Sequence, residues 1–338
     1  MTNLLDLPPP GPGKNRSIAK LAIFLVLAAA VLLLFISLYP KQLDVYMSIA
    51  DIPVADPALR TCITDTGAAH DWTDAGQFTS LRCNNPSGNG IVSLNGIEHL
   101  VSMRDLNLSF NNISDAGPLA TMSHLVNLDL SHNELRDVPV FEAAPGLKHI
   151  ELNYNELDSM DWLERQGFPV LESVSVAHNR VTSIGQVRGV PELRELNLRD
   201  NQIEDLASVF LREKLNVLDV GGNQLTSLDG IAALAHLKRL FLDRNNITTL
   251  ASLAELKDLE YLDASYNVLE NTAGLHELDR LRRLNLRNTG TVNLRDILTL
   301  GDIEVLDIAG NPALSCAELD EAVQVFGERA IHTDGVCK

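Results

Sequence analysis

The clearest indication of the fold is the eleven-residue stretch LRELNLRDNQI at positions 193 to 203. The same pattern returns 22 residues later as LNVLDVGGNQL and after a further 22 as LKRLFLDRNNI, with branched apolar residues and an asparagine at matching places. Self-similarity at a fixed period of about 20 to 50 residues is the sequence signature of repeat architectures. The stretch therefore predicts a solenoid, in which many copies of one short unit stack on each other.

One asparagine marks each unit, and we call this series the asparagine ladder. Its positions are Asn111, Asn133, Asn155, Asn179, Asn201, Asn223, Asn245, Asn267, then Thr289 in the equivalent place, then Asn311. Every step is 22 residues except one of 24 before Asn179, where the segment 162–169 accommodates two extra residues. Because an amide both donates and accepts, we expect it to pair with backbone groups inside the coil. Thr289 can do only part of this, so we expect that coil to be looser.

Within each unit, the alternation seen in Leu106, Asn107 and Leu108 predicts a short strand with both leucines on the buried face. A single unit cannot bury that face alone, so neighbouring units are obligatory. Ten strands stacked in parallel would fill one sheet face with leucine, isoleucine and valine. The apolar spacing of about three between strands predicts 3₁₀ or irregular turns on the other side.

The repeated pattern is LxxLxLxxNxL, filled for example by Leu193, Leu196, Leu198, Asn201 and Ile203. It resembles the leucine-rich repeat family over roughly residues 78–314. The 22-residue length resembles bacterial internalin-like proteins and the phosphatase-regulator type of eukaryotic leucine-rich repeat protein. The resemblance implies an α/β-type repeat solenoid, a horseshoe with a parallel sheet on its concave face.

The composition limits the possible partners. The chain has 27 basic and 45 acidic residues, a net charge of -18, and 45% of its residues are hydrophobic. The charge disfavours nucleic acid, whose binding needs a surplus of Lys and Arg, and the apolar content predicts a folded chain. Leucine accounts for 57 of the 338 residues, an excess that indicates a repeat array, a membrane segment or both.

An apolar segment precedes the repeats. From Leu21 to Leu38 the chain carries 18 consecutive uncharged, mostly apolar residues, enough for a helix of about 27 Å and one bilayer crossing. Three basic residues, Lys14, Arg16 and Lys20, come before it. The positive-inside rule therefore places the N-terminus in the cytoplasm and the repeats outside, which for a bacterial protein means the periplasm. A cleaved secretory signal is the alternative, and both interpretations export the same domain.

Four cysteines frame the repeats: Cys62 and Cys83 precede them, and Cys316 and Cys337 follow them. A stack of about ten strands is nearly 50 Å long, whereas bridged Cα atoms lie within about 7 Å, so we expect the pairs Cys62–Cys83 and Cys316–Cys337. Four buried free thiols are the alternative. No cysteine or histidine spacing typical of a metal site occurs, so no metal is expected.

Both pairs lie in predicted caps that cover the apolar ends of the solenoid. At the first end, Asp56 as N-cap and Pro57 predict a helix running towards Ala69, followed by a strand over 78–83. At the second end, a short amphipathic helix is predicted from residue 315 or 316 to residue 327. The predicted organisation is a cytoplasmic tail over 1–20, a transmembrane signal anchor over 21–39, a linker over 40–55, an N-terminal cap over 56–86, ten repeats over 87–314 and a C-terminal cap over 315–338.

The aromatic strip is the first candidate binding surface on the predicted concave face. The residue just before the ladder position is aromatic in four successive units, and these residues are Phe110, His132, Tyr154 and His178. Adjacent coils bring such residues within about 5 Å of each other. Exposed aromatic residues are typical anchors of protein interfaces. The alternative is a set of surface rings with no joint role.

A second candidate surface is basic, and Phe241 lies beside it. Its arginines are Arg199, Arg239, Arg244, Arg283 and Arg287. Arginine binds carboxylate or phosphate bidentately. Ion pairs with neighbouring acids such as Asp243, Glu260 and Asp263 are the more economical explanation. The central column between the strand leucines is largely Asp and Asn, which is common in the family that the chain resembles.

These features predict a non-catalytic, membrane-anchored interaction module that binds a protein or envelope polymer on its concave face. His132 with Asp129 and Glu151 has no nucleophile or closed ligand shell beside it, so no enzyme activity, cofactor or small-molecule substrate is expected. The rival hypotheses are a structural spacer without a high-affinity ligand and, by resemblance to the phosphatase regulators, an intracellular adaptor. The predicted topology is at odds with the adaptor.

Overall fold

A computed structural model describes residues 46–85, 90–141, 144–165, 167–185, 189–206, 214–291 and 293–334. The tail over 1–20, the membrane helix over 21–39 and Cys337 lie outside these residues. Within them, no helix is both long enough and apolar enough to span a bilayer. The membrane helix therefore stays a prediction from the sequence.

Short strands form one open parallel sheet in which every strand pairs with the next along the chain. The strands are β1 Ser80–Arg82, β2 Asp105–Asn107, β3 Asn127–Asp129, β4 His149–Glu151, β5 Ser173–Ser175, β6 Glu195–Asn197, β7 Val217–Asp219, β8 Arg239–Phe241, β9 Tyr261–Asp263, β10 Arg283–Asn285, β11 Val305–Asp307 and β12 Ile331–His332. The predicted parallel solenoid is confirmed. The strand β12 was not predicted, because only two residues pair and no repeat pattern marks them.

The middle residue of each three-residue strand points into the core, and its neighbours face outwards. Leu106 is 2% exposed and pairs in register with Leu81 and Leu128. Continued across every coil, this register produces one apolar core that runs the length of the solenoid. The outward residues at either side of the central leucine form the solvent face of the sheet, which is the face predicted to be concave.

The side opposite the sheet consists of short 3₁₀ turns and loops, as the spacing predicts. The 3₁₀ turns of the repeats are Ile97–His99, Gly117–Thr121, Ile231–Ala233, Ala251–Glu255 and Leu275–Glu277. The 24-residue unit differs, because it contains a four-residue α-helix, α2 (Trp162–Arg165). Trp162 and Phe168 are both buried there with ring centroids 6.0 Å apart, so the two extra residues make room for large side chains.

The N-terminal cap is an α-helix, α1 (Pro57–Ala69), packed on β1. Asp56 is its N-cap, as predicted, and the predicted disulfide Cys62–Cys83 joins the helix to the sheet. The strand Ser80–Arg82 is shorter than the predicted 78–83, and Phe78 instead forms the C-cap of a 3₁₀ turn (Ala75–Gln77). The cap also extends into the predicted linker, since a 3₁₀ turn (Ile49–Asp51) lies there and both Ile52 and Val54 are 2% exposed.

The C-terminal cap is α3 (Cys316–Phe326), followed by a 3₁₀ turn (Glu328–Ala330) and β12. Ser315 is its N-cap and forms a reciprocal capping box with Glu318. Cys316 is disulfide-bonded. Its predicted partner Cys337 lies outside the described residues, so that pairing stays a prediction.

Candidate functional site

The asparagine ladder sets the position of every candidate residue, because it closes the turn after each strand. Asn201 illustrates it: its Nδ2 donates to the backbone oxygens of Val176, Leu198 and Arg199 at 3.0, 3.0 and 3.2 Å. Its Oδ1 accepts from the Val181 N–H at 2.9 Å. The amide thus both donates and accepts, as the sequence predicted, and it fastens one coil to the preceding one.

Thr289 closes its coil with a different set of bonds. Its hydroxyl donates to the Leu286 oxygen at 2.8 Å, but makes no bond corresponding to the one from Asn311 to the preceding coil. The N–H of Leu269, which would meet an asparagine Oδ1, instead donates to the backbone oxygen of Thr289 at 2.9 Å. One bond between coils is therefore lost and another is replaced by backbone, while the side chain stays 1% exposed.

The residue before each ladder position has a left-handed backbone. Its φ is positive in all ten units, from 51° at Asp200 and Asn288 to 73° at Gly310. The backbone N–H of this residue donates to a backbone oxygen of the next coil, as from Phe110 to Ser131 at 3.0 Å. Because each of these residues follows its strand, together they form a column along the carboxyl ends of the strands. The aromatic strip occupies the first four places of this column and borders the sheet face.

The four rings of the aromatic strip are stacked face to face. Centroids lie 4.0 Å apart for Phe110 and His132, 4.1 Å for His132 and Tyr154, and 4.0 Å for Tyr154 and His178. The ring planes are tilted by 15° or less, so the four side chains form one continuous stack. Phe110 is 42% exposed and Tyr154 is 46% exposed, so the stack is open to solvent. His178 ends it with an Nε2 atom 3.3 Å from the Asp200 carboxylate.

Arg199 is held by acids of its own chain. Its guanidinium donates two bonds to the Asp243 carboxylate, at 2.9 and 2.6 Å, and lies 3.4 Å from Asp219. It spans two coils to do so, across Gly221, where a Cβ atom would come within 2.5 Å of both partners. The hydrogen bonds to Asp243 outweigh burial and raise the pKa of Arg199. This geometry agrees with the ion-pair alternative for Arg199.

The other four arginines are less constrained. Arg239 lies over the ring of Phe241 and Arg244 over that of Tyr266, with 5.5 Å from the guanidinium carbon to the centroid in both. The Nε atom of Arg283 is 4.0 Å from Glu304, and an Nη atom of Arg287 is 3.9 Å from Asp334. These last two contacts are exposed ion pairs, which contribute little to stability.

Shallow basins lie on the sheet face of the described residues. The first, of about 470 Å³, is lined by polar residues of β1 to β4, among them Asp129, His149 and Glu151. Burial, with a smaller effect from the Asp129 charge, raises the pKa of Glu151. The second, of about 370 Å³, extends from Glu151 to Arg239 and Phe241. Among the described residues, no three His, Cys, Asp or Glu side chains are placed to hold a metal ion.

Models of one protein family match parts of this sequence. A leucine-rich repeat model matches residues 213–269, and a second one matches residues 99–118, 121–138 and 191–206. Over these residues the chain matches the leucine-rich repeat family. No curated protein matches it.

Solved structures share the solenoid fold. An internalin from Listeria monocytogenes is 21% identical with a TM-score of 0.66, over 86% of this chain and 94% of the internalin chain. The functional domain of InlJ from the same organism is 23% identical with a TM-score of 0.62, over 85% of this chain and 67% of the other. A TLR13 complex with single-stranded RNA is 20% identical with a TM-score of 0.55, over 64% and 37% of the two chains. At these identities the likeness concerns the fold alone.

Sequence reasoning missed two tyrosines. Tyr266 lies in the same left-handed column as the aromatic strip, four units after its last ring. Tyr261 is the register neighbour of both Arg239 and Arg283, and its ring centroid is 4.8 Å from that of Phe241. Reading the column just before each central leucine, as well as the one after it, would have found Tyr261.

Proposed function

We propose that this leucine-rich repeat protein is a non-catalytic, membrane-tethered binding module that engages a protein or envelope polymer through the aromatic strip and the adjoining sheet face. The observation that carries the proposal is the stack of four rings, each on a residue with a left-handed backbone. Two features of that stack support a binding role, its backbone conformation and the surface that it offers.

The left-handed backbone is unfavourable for aromatic residues. An L-residue other than glycine, asparagine or aspartate adopts it at a cost of about 1 kcal/mol. At four of the other six places in the column the chain uses residues that tolerate this conformation, namely Asp200, Gly222, Asn288 and Gly310, while Arg244 and Tyr266 fill the other two. Four successive aromatic residues are therefore not a requirement of the fold. Stacking of the rings offsets part of this conformational free energy, by about 0.5 to 1.5 kcal/mol for each pair of rings.

The surface of the stack is suited to a polypeptide. Because the rings cover each other's faces, they present their edges to a ligand, and ring edges carry partial positive charge that attracts carbonyl oxygens and aromatic faces. The Tyr154 hydroxyl and the imidazole nitrogens of His132 and His178 add hydrogen-bonding groups at the same surface. Rigid aromatic residues with polar tips are enriched among the residues that dominate binding energy at interfaces.

The tether and the location rest on the sequence. The 18 uncharged residues from Leu21 to Leu38, preceded by Lys14, Arg16 and Lys20, support an anchor with a cytoplasmic N-terminus and repeats in the periplasm. The disulfide Cys62–Cys83 supports an oxidising compartment, where such bonds persist. A reporter enzyme that is active only outside the cytoplasm, fused after Lys338, should be active. Activity of a cytoplasmic reporter at that position instead would support the intracellular adaptor.

The binding role is tested with Tyr154→Ala/His178→Ala in the full-length chain. In-cell crosslinking followed by affinity capture should give one dominant partner with the wild type and at least about tenfold less of it with the variant, as expected for loss of two interface anchors. Both substitutions keep the ladder residues, so the variant should fold.

Tyr266→Ala is the matched control. Tyr266 has the same φ of 55° and the same 46% exposure as Tyr154, but lies outside the strip. Capture should be unchanged in this variant. A diffuse set of neighbours with the wild type would support the spacer hypothesis, and equal capture by both variants would refute the strip as the site.

A further inference from the structure

A second group of side chains, which we call the arginine–tyrosine cluster, lies on the sheet face away from the aromatic strip. It consists of Arg239, Phe241, Tyr261 and Arg283, on β8, β9 and β10. Arg239 and Arg283 are the register neighbours of Tyr261 on its two sides. From this juxtaposition we propose that the cluster binds a carboxylate side chain of an acidic polypeptide segment, between the two guanidinium groups. The proposal rests on the proposed function in taking the partner to be a polypeptide.

The spacing suits a single carboxylate. Neighbouring strands are about 4.8 Å apart, so the two arginine Cα atoms lie about 10 Å apart, one on each side of Tyr261. An extended arginine side chain is longer than half of this Cα–Cα distance, so both guanidinium groups can reach one carboxylate above the tyrosine ring. Each fork can donate two parallel bonds to a carboxylate. The ring of Phe241, 4.8 Å from that of Tyr261, provides an apolar contact for the stem of a glutamate.

The two arginines are open to such a ligand, in contrast to Arg199. Among the described residues, no carboxylate lies within 4.0 Å of the Arg239 guanidinium, which contacts the Phe241 ring instead. Arg283 has one acidic neighbour, Glu304, at 4.0 Å, and the two side chains are 60% and 50% exposed. An ion pair with this much solvent exposure contributes little free energy, so a better-placed carboxylate can replace Glu304 as the partner of Arg283.

The nearby acids of the sheet face already have donors. Asp243 is held by Arg199. Asp219 accepts the Gly221 N–H at 2.9 Å, and Asp263 accepts from Ser265 and, at 2.9 Å, from the Asn285 amide. Burial and the Asp263 charge raise the pKa of Tyr261, so its hydroxyl stays protonated and can donate. The net charge of -18 disfavours a polyanion such as nucleic acid, whereas a single carboxylate between two forks meets less repulsion.

The test uses the full-length chain in detergent micelles and a labelled, capped peptide of alternating glutamate and serine. Its counterpart has glutamine in place of glutamate. Fluorescence anisotropy at low and physiological ionic strength should show binding of the glutamate peptide at least about tenfold tighter than of the glutamine peptide, the difference expected from charge-assisted bonds to two guanidiniums. Arg239→Gln/Arg283→Gln should abolish that difference. Arg239→Lys/Arg283→Lys should keep only part of it, because lysine has no fork.

The matched control is Lys238→Gln/Arg282→Gln. It removes two positive charges at the residues directly before the same two strands, where Lys238 pairs with Glu260 and Arg282 with Glu304. The control should keep the tenfold preference. Equal binding of the two peptides by the wild type, or equal loss in the control, would refute the cluster as a carboxylate site. Displacement by inorganic phosphate at the concentration of the peptide would also refute it, in favour of a simple anion site.

Failure of this inference can be told from failure of the proposed function. The strip variant Tyr154→Ala/His178→Ala is titrated with the glutamate peptide in parallel with partner capture. If the strip variant keeps its preference for the glutamate peptide but no longer captures the partner, the result supports both the aromatic strip and the arginine–tyrosine cluster as sites. Lost preference in Arg239→Gln/Arg283→Gln with unchanged capture confines the partner to the strip, and a wild type without any preference leaves the strip result standing alone.

Discussion

The ladder asparagines are the single residues on which the closure of each coil depends. Asn201 is 7% exposed and makes four hydrogen bonds to backbone, three as donor and one as acceptor. An amide offers two N–H donors and a carbonyl acceptor, whereas a hydroxyl of similar size offers a single donor. Thr289 shows what happens without the amide: the backbone shifts its pairing and one bond between coils disappears.

Asn201→Ala is therefore expected to be strongly destabilising. It leaves buried carbonyl and N–H groups without their partners, at about 1 to 3 kcal/mol for each unsatisfied group, so we expect a loss of about 3 kcal/mol. Urea unfolding followed by circular dichroism measures it. Gln202→Ala, at the exposed position next to it, is the control and should change the free energy of unfolding by less than about 0.5 kcal/mol. Similar losses for the two variants would contradict this role of the amide.

Single residues also separate the two arginine hypotheses. The sequence gives five arginines of the same type, and only the structure shows that Arg199 reaches Asp243 two coils away, across Gly221. Arg239 lies on the same coil as Asp243, but its guanidinium lies over the ring of Phe241. Sequence distance does not reveal this difference, because it depends on which column each side chain occupies.

Among the elements, the N-terminal cap helix depends on one carboxylate. Asp56 Oδ1 accepts the N–H groups of Ala58 and Leu59 at the start of α1, and Oδ2 accepts those of Val92 and Ser93 in the first repeat. Burial alone would raise the pKa of Asp56, but these four bonds outweigh it and lower the pKa below its ordinary value. The same side chain thus caps the helix and docks it on the repeats.

Asp56→Asn tests this docking and its pH dependence. Asparagine still caps a helix, but its Nδ2 cannot accept from the first repeat, so we expect a loss of about 1 to 2 kcal/mol at neutral pH. A carboxyl whose folded pKa is lowered stabilises the fold above its unfolded pKa and loses that contribution as the pH falls through the folded value. The difference from the wild type should therefore shrink below about pH 4.

Thermal unfolding of both proteins between neutral and acidic pH measures that difference. Asp65→Asn, at an exposed position of the same helix, is the control and should leave the midpoint within about 1 °C of the wild type. A difference between wild type and Asp56→Asn that stays constant down to acidic pH would rule out the carboxylate as its source.

The whole molecule is a one-dimensional stack, because each strand pairs only with its neighbours in chain order. In such a stack the stability of any coil comes from itself and the coils beside it. The ends have one neighbour fewer, so caps must make up the difference. The disulfide Cys62–Cys83 and the extended segment around Ile52 and Val54 do this at the first end.

Cys62→Ser/Cys83→Ser should therefore open the solenoid from its first end. The chain-entropy effect of a loop of about 20 residues is about 3 kcal/mol. Hydrogen exchange should show lost protection at β1 and β2, while β6 to β8 keep theirs. The wild type under non-reducing conditions is the reference. Uniform loss of protection along the sheet would mean that the solenoid unfolds as one cooperative unit.

The residue pattern was enough to predict the period, the parallel stacking, the ladder, the Cys62–Cys83 pair and the position of the aromatic strip. Each of these follows from residues that recur at a fixed interval or from a helix signal next to them, and repetition turns a local pattern into a global one. The three-dimensional contacts were needed to see that the strip rings stack at about 4 Å, that β12 extends the sheet, that 46–55 packs on the cap, and that Arg199 is paired with Asp243. These depend on side-chain directions and on contacts between coils, which the repeat period does not encode.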